Sequence, residues 1–227
     1  MIDFKTIEIK LESGDLIFFQ FPLPEEKMIM SVLNGKDYPL SKISKIDENP
    51  IIFDFGSNFG SSIVFFKDNY PHSIIYGFEP SEETFNKLKQ NIKNLNNIYI
   101  EQVAIWNKKG EYRLNYGPEK RTGSYTLLEW DNDLGGEDVQ TTTFLDIVQS
   151  KYINKIDILK IDIEAVELEV LLDVFKESSK ILVKNIFVEY HGKNVLKKIN
   201  ETFSGKYNIM QCNQVSKSQG VILMALK

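Results

Sequence analysis

Two short stretches of this chain carry the side chains best suited to chemistry. Asp162 and Glu164 follow the apolar run Ile156 to Ile161, and Glu189 and His191 end the run that starts at Ile181. Residues two apart in an extended strand project to the same side, so each pair presents its groups together. The carboxylates of Asp162 and Glu164 can position a polar acceptor or help to hold a divalent metal. A neutral imidazole can take a proton from an attacking hydroxyl, which makes His191 the general-base candidate and Glu189 its orienter or a substrate hydrogen-bond acceptor. Both can instead satisfy local backbone groups. Glu167 reads as a first-turn acid favoured at a helix start, and His72, beside Pro71, as a surface residue.

A second constellation lies upstream. Residues 51–60, IIFDFGSNFG, are an apolar strand entering the turn Asp54-x-Gly56-x-x-x-Gly60. Gly56 would let the chain turn off the strand and let a ligand approach the backbone, with Ser57 and Asn58 in the loop beside it; Gly60 would permit close packing at the helix start. Amides at that helix start can face a polar ligand group. A dinucleotide fingerprint would place glycine at the position of Asn58, so a pyrophosphate is disfavoured. An acid ahead of such a turn resembles the pattern usual in S-adenosylmethionine enzymes of the Rossmann-like class; Asp54 would organise the loop or meet the ligand's amino group through water, since that cofactor carries an α-ammonium and no phosphate. Glu79, in Gly77-Phe78-Glu79-Pro80, follows Gly60 by 19 residues and falls at a strand end, where a carboxylate can accept both ribose hydroxyls. It can also simply begin the helix that opens Ser81-Glu82-Glu83. Val103 and Ala104 are small enough to flank an adenine ring, or form an ordinary buried turn.

The elements that must position these residues follow from periodicity. Short continuous apolar runs at Ile51 to Phe55, Ser73 to Phe78, Ile98 to Gln102, Ile156 to Ile161 and Ile181 to Glu189 read as parallel strands covered on both faces. Helices at Gly60 to Asp68, Ser81 to Asn94, Val166 to Lys176 and Asn194 to Phe203 alternate with them, giving βαβ architecture. Tyr207 to Gln211 and Val221 to Leu226 suggest a terminal antiparallel pair. Between the third and fourth strands, Gly110, Gly117, Pro118, Gly123, Gly135 and Gly136 break the chain into short hairpin-like pieces. Within that stretch, Arg121 to Thr126 offers guanidinium, hydroxyl and aromatic groups suited to a sugar or anionic acceptor, or serves as a structural loop. Before the sheet, residues 5–20 read as a hairpin broken at Ser13-Gly14-Asp15, and residues 24–34 as a helix. Residues 1–49 are therefore expected to form an appendage or lid, and 50–227 the α/β domain.

Composition narrows the classes. The 227 residues suit one large domain with a short appendage, and 42% hydrophobic with 26% charged residues indicates a folded globular chain. The net charge of −5, from 27 basic and 32 acidic residues, supplies no positive field for a nucleic-acid backbone. Cys212 is the single cysteine, which excludes an intrachain disulfide or multi-cysteine metal site and fits a reducing compartment. With no signal-peptide core and no long apolar run, no membrane segment is expected and the cytoplasm is the default compartment.

The series DFGSNFG, GFEP, VAIWNKKGEYRL, TTTFLDIV and LKIDIEAVELEVL, running from about Asp54 to His191, resembles the FkbM family of S-adenosylmethionine-dependent methyltransferases. Gly35-Lys36-Asp37-Tyr38 is similar to the family's short lead-in. The resemblance implies a Rossmann-like class I methyltransferase sheet, mostly parallel with a reversed C-terminal strand, and methyl transfer to a hydroxyl of a sugar, glycan or secondary metabolite. It places Gly56, Asn58, Gly60 and Glu79 at the cofactor and Asp162 facing the reacting region. Where the family commonly has glycine, this chain has Ala165, which restricts positive φ and puts substrate-side geometry in question. A nucleotide-binding oxidoreductase is the alternative enzyme class, and a cofactor-binding module without turnover is the alternative outside catalysis.

Overall fold

The computed structural model describes residues 3–117, 124–128, 134–176 and 180–227. Arg121 to Gly123, Pro118 and their neighbours lie outside the described residues.

The chain opens with an antiparallel hairpin, β1 (Phe4–Lys10) and β2 (Leu16–Pro22), turned at Gly14, where φ is +92°. A single helix, α1 (Glu26–Leu33), and a lead-in loop follow. Then come β3 (Ile51–Phe55), α2 (Ser61–Asn69), β4 (Ile74–Phe78), α3 (Glu82–Ile92) and β5 (Ile98–Glu101), in strict alternation. Three short strands, β6 (Ala104–Ile105), β7 (Gly110–Asn115) and β8 (Gly136–Thr142), form a separate small sheet in the order β6-β8-β7. The chain resumes with α4 (Phe144–Ser150), β9 (Lys155–Ile161), α5 (Glu167–Lys176), β10 (Leu182–His191), α6 (Lys193–Phe203), β11 (Tyr207–Gln214) and β12 (Gln219–Leu226).

Seven strands make the main sheet, ordered β11-β12-β10-β9-β3-β4-β5. Strands β10, β9, β3, β4 and β5 are mutually parallel, and β12 runs against both β10 and β11. Only β12 is reversed, because β11, antiparallel to β12, again shares the direction of β10. The continuous apolar character of β3 and β9 has its cause in two cores, one on each face. Phe53, Phe55, Leu159 and Ile161 pack under α4, α5 and α6; Ile52, Ile158 and Phe187 pack under α2, α3 and the N-terminal elements. The hairpin joins this second core through Phe19 and Phe21, and Asn91 of α3 clasps the backbone of Gln20 with two 2.9 Å hydrogen bonds.

Helix α4 was not legible as a separate element. Thr143 caps it, its hydroxyl accepting from the Asp146 amide at 3.2 Å, and Phe144, Ile147 and Val148 bury its inner face. The lead-in loop is held against β10 and α2. Asn185 donates to and accepts from the backbone of Ser44 at 3.1 and 2.7 Å, while Tyr38 packs its ring 5.4 Å from Phe66 and 5.2 Å from Phe187. Aromatic contacts of this kind are worth about 0.5–1.5 kcal/mol each beyond burial. No described helix is long and apolar enough to cross a membrane.

Candidate active site

A cavity of about 820 Å³ opens above the carboxyl ends of β3, β4, β9 and β10, the place where open α/β sheets hold ligands. Its floor is the turn after β3. Gly56 adopts φ +77°, and a Cβ there would lie 1.8 Å from the carbonyl oxygen of Asp162. The glycine is therefore required by the neighbouring strand end as well as by the turn. The amides expected to face a ligand are those at the helix start, and those of the loop before it are satisfied within the protein. The amides of Gly56 and Ser57 donate to the Phe78 carbonyl at 3.0 and 2.9 Å, and that of Asn58 to Glu79 Oε2 at 2.9 Å. Ser61 and Ser62, at the start of α2, line the cavity instead. Gly60 does not line it: at φ +93° it lets α2 approach α3, where a Cβ would meet Leu88 at 2.7 Å.

Asp54 is also shut off from the cavity. It is fully buried, paired with the Lys160 ammonium at 3.1 Å and accepting from the Ser62 hydroxyl at 2.6 Å, so it organises the loop and has no path to a ligand. Lys160, which also lines the cavity, is a buried cation that sequence reading passed over. It lies buried in β9 and reaches the Gly56 carbonyl at 2.6 Å, Asp54 at 3.1 Å and Asp162 at 3.5 Å. Burial disfavours its charge, but the two carboxylates outweigh that and hold its pKa above the ordinary lysine value. The signal was available: an ammonium inside an apolar strand has to be paired.

Glu79 lines the cavity at the end of β4. Its Oε1 accepts from the Ser81 amide at 3.0 Å and its Oε2 from Asn58, so it does steady the start of α3, yet each oxygen keeps a lone pair. Burial raises its carboxyl to about 7 against those two hydrogen bonds. Pro80, Ser57, Val103 and Ala104 line the same cavity, joined on the small-sheet side by Leu114, Tyr125 and Leu127.

At the other end the structure gathers the acids. Asp162, Glu164 and Glu189 all line the cavity. Burial first, and then the charge of Asp162, raise Glu189 to about 8; burial likewise raises Glu164. His191 stands behind this group and is not part of the cavity wall. Its Nδ1 is 3.1 Å from Glu167, its Nε2 3.2 Å from Glu164 and 3.9 Å from Glu189. The side-chain amide of Gln219, 2.9 Å from Nε2, suits a neutral ring, whereas three carboxylates suit a charged one. Burial lowers the ring's pKa, but the Glu167 hydrogen bond and the surrounding acids win and carry it to about 10. The surrounding carboxylates thus favour the imidazolium, with both ring nitrogens engaged. This corrects its reading as a general base, which needs the neutral form.

The turn after β9 keeps its shape despite Ala165. Glu164 and Ala165 both take positive φ, +52° and +76°. Two hydrogen bonds hold them there: the Thr126 hydroxyl donates to the Glu164 carbonyl at 2.6 Å, and the Ala165 amide to Glu167 at 3.0 Å. Glu167 thus does more than start α5; it ties the turn to His191. Among the described residues, no group of three His, Cys, Asp or Glu is arranged to hold a metal ion.

A parallel sheet with one reversed strand, a glycine turn after β3, an acid after β4 and a cavity over the strand ends define a Rossmann-like class I methyltransferase fold. The chain belongs to the family of the methyltransferase FkbM domain, whose model matches residues 54–210. It is 29% identical over 178 residues to the methyltransferase sdnD of Sordaria araneosa, covering 65% of this chain and 68% of that protein. It is 24% identical over 164 residues to the hexuronic acid methyltransferase AglP of Haloferax volcanii, covering 70% and 65%, and 25% identical over 170 residues to the 31-O-demethyl-FK506 methyltransferase FkbM of Streptomyces tacrolimicus, covering 62% and 65%. Among solved structures, the FkbM methyltransferase of Methylobacillus flagellatus superposes with a TM-score of 0.59 at 14% identity, over 84% of this chain and 47% of that one. Fibrillarin of Aeropyrum pernix, solved with natively bound S-adenosyl-L-methionine, superposes with a TM-score of 0.51 at 12% identity, over 99% and 100%. This chain spans less than half of the Methylobacillus structure and about two thirds of the curated relatives.

Proposed function

We propose that this chain is an S-adenosylmethionine-dependent methyltransferase that methylates a hydroxyl oxygen of a sugar, glycan or secondary metabolite. The carrying observation is that one cavity spans a half-satisfied carboxylate, Glu79, at the end of β4 and an ionisable carboxyl pair, Asp162 and Glu189, at the ends of β9 and β10. The named activities of the Haloferax and Streptomyces relatives support the acceptor class.

The residues fit the cofactor. Glu79 has lone pairs for two ribose hydroxyls, Val103, Ala104 and Leu127 give an apolar slot for adenine, and Gly56 leaves the floor clear. When bound, S-adenosylmethionine supplies an electrophilic methyl group. Glu189 takes the proton of the acceptor hydroxyl at its carboxylate oxygen; its elevated pKa makes it a stronger base than an ordinary glutamate. Gln219, donating to Glu189 Oε1 at 2.8 Å, orients that carboxylate, while the charge of Asp162, itself paired with Lys160, keeps the proton on Glu189 once it has been taken. His191 offsets the charge of Glu164 and Glu167, so that these neighbouring acids do not deprive Glu189 of its ionised form. The deciding experiment incubates the protein with methyl-labelled cofactor and cell extract and identifies labelled products by mass spectrometry. A labelled O-methyl product supports the assignment; label on nitrogen, or S-adenosylhomocysteine failing to bind by calorimetry, overturns it.

A further inference from the structure

One buried carboxylate on the cavity wall is not used by that mechanism. Asp37, in the lead-in loop, is 8% exposed. Both of its hydrogen bonds arrive at the same oxygen. The Ser31 hydroxyl of α1 donates to Oδ1 at 3.2 Å and the Asn213 side-chain amide of β11 at 2.5 Å. Oδ2 has no partner among the described residues, and no cation pairs with the group there. Oδ2 is not among the enclosed unpartnered side-chain atoms, so this oxygen of a largely buried residue is left open on the cavity wall, where a hydroxyl can donate to it. Its surroundings are built rather than accidental. Tyr38, the next residue, is locked among Phe65, Phe66 and Phe187, and Asn213 sits just past a bulge in β11 where Cys212 is the extra residue, between the Gln211 and Asn213 pairings.

Sheet order says which ligand this oxygen faces. From Glu79 on β4 the cavity passes β3, β9 and β10 before reaching β12 and β11, five inter-strand steps or roughly 24 Å at about 4.8 Å each. Counted from Glu79 on β4, Asn213 on β11 stands beyond the carboxyls of β9 and β10, and its clasp ties Asp37 to that side of the cavity while Ser31 ties it to α1.

We propose that Asp37, oriented by Ser31 and Asn213, is an acceptor-binding residue that takes a second hydroxyl of a polyhydroxylated acceptor, remote from the hydroxyl that is methylated. The inference rests on the methyltransferase reading and adds an acceptor class to it: a glycoside with at least two free hydroxyls. Asp37→Asn is a selective probe, because the asparagine oxygen still accepts from Ser31 and Asn213 while the outward atom becomes a donor.

The test uses the full chain saturated with S-adenosylhomocysteine and measures binding of methyl glucoside, galactoside, mannoside and xyloside by saturation-transfer NMR and calorimetry. Wild type is expected to bind at least one glycoside, and Asp37→Asn to bind it about 10-fold or more weakly, the loss for a hydrogen bond to a charged group. Asn213→Ala is expected to show a smaller loss in the same direction. Affinity for S-adenosylhomocysteine is expected to stay unchanged in both variants. Equal glycoside affinity in wild type and Asp37→Asn overturns the proposal, as does glycoside binding by no protein, or a loss confined to S-adenosylhomocysteine. Failure of wild type to bind S-adenosylhomocysteine instead overturns the underlying methyltransferase reading.

Discussion

Replacing Glu79 by alanine tests the cofactor end of the site. The side chain sits at the end of β4 with one lone pair on each oxygen unclaimed, so ribose hydroxyls would gain a charge-assisted acceptor. Such bonds contribute about 1.5–3 kcal/mol, which converts to a loss of roughly 10- to 150-fold in affinity. The amides of Asn58 and Ser81 lose their acceptor too, but the removed side chain lines the cavity and water can take its place, so the fold should persist. The sign of the pH dependence follows from burial. The unliganded carboxyl titrates at about 7, above its unfolded value, so the proton stabilises the free protein and that stability is lost as pH rises from the unfolded value through about 7. Ligand selects the ionised form. About nine-tenths of the group is ionised at pH 8 and one-tenth at pH 6, so wild-type affinity should rise up to about tenfold between them and then level off. Calorimetry with S-adenosylhomocysteine, in two buffers of different ionisation enthalpy, should show protons leaving on binding at pH 7 in wild type and fewer in Glu79→Ala. If the two proteins bind equally at pH 8, or the variant keeps the same proton release, the ribose reading fails.

Gly56→Val should abolish cofactor binding and cost at least about 2–3 kcal/mol of stability, because its Cβ would fall 1.8 Å from the Asp162 carbonyl; a normal urea midpoint would contradict the turn geometry. Glu189→Gln should slow methyl transfer by roughly 10²–10⁴ and remove an activity limb rising through about 8, readable as single-turnover rates against pH. His191→Asn, by contrast, should move that limb to higher pH by removing a nearby cation while leaving the high-pH rate within about tenfold; a uniform loss of 10² or more would restore the histidine as the base. Ala165→Gly should relieve the positive-φ strain and raise the melting temperature by about 2–4 °C, the response to roughly 1 kcal/mol; a fall would mean the turn tolerates alanine without strain.

The sheet was readable because each of its parallel strands is buried on both faces, so β3 and β9 appear as unbroken apolar runs with little to confuse their ends. Helix α4 was not, since its seven residues give too few turns for a periodicity to emerge, and only Thr143 and Asp146 mark its start. Residue type led to Glu79, Asp162 and Glu189, but the charge state of His191 depends on Glu164 and Glu167, which reach it from a turn and a helix that sequence spacing does not relate to it. Lys160 was hidden by the habit of assigning lysine to surfaces. Asp37 and Asn213 are 176 positions apart, and no local pattern announces their contact.

The bulge in β11 bears on more than the cavity. β11 is the outer strand of the sheet, and a regular eight-residue edge offers its unpaired backbone to any other extended chain. The extra residue at Cys212 interrupts that template right beside Asn213, the residue that donates to Asp37, so one irregularity bears on both the sheet edge and the proposed acceptor contact. Deleting Cys212 to straighten the strand would therefore be expected to cost the protein twice, once in what it binds and once in its resistance to aggregation.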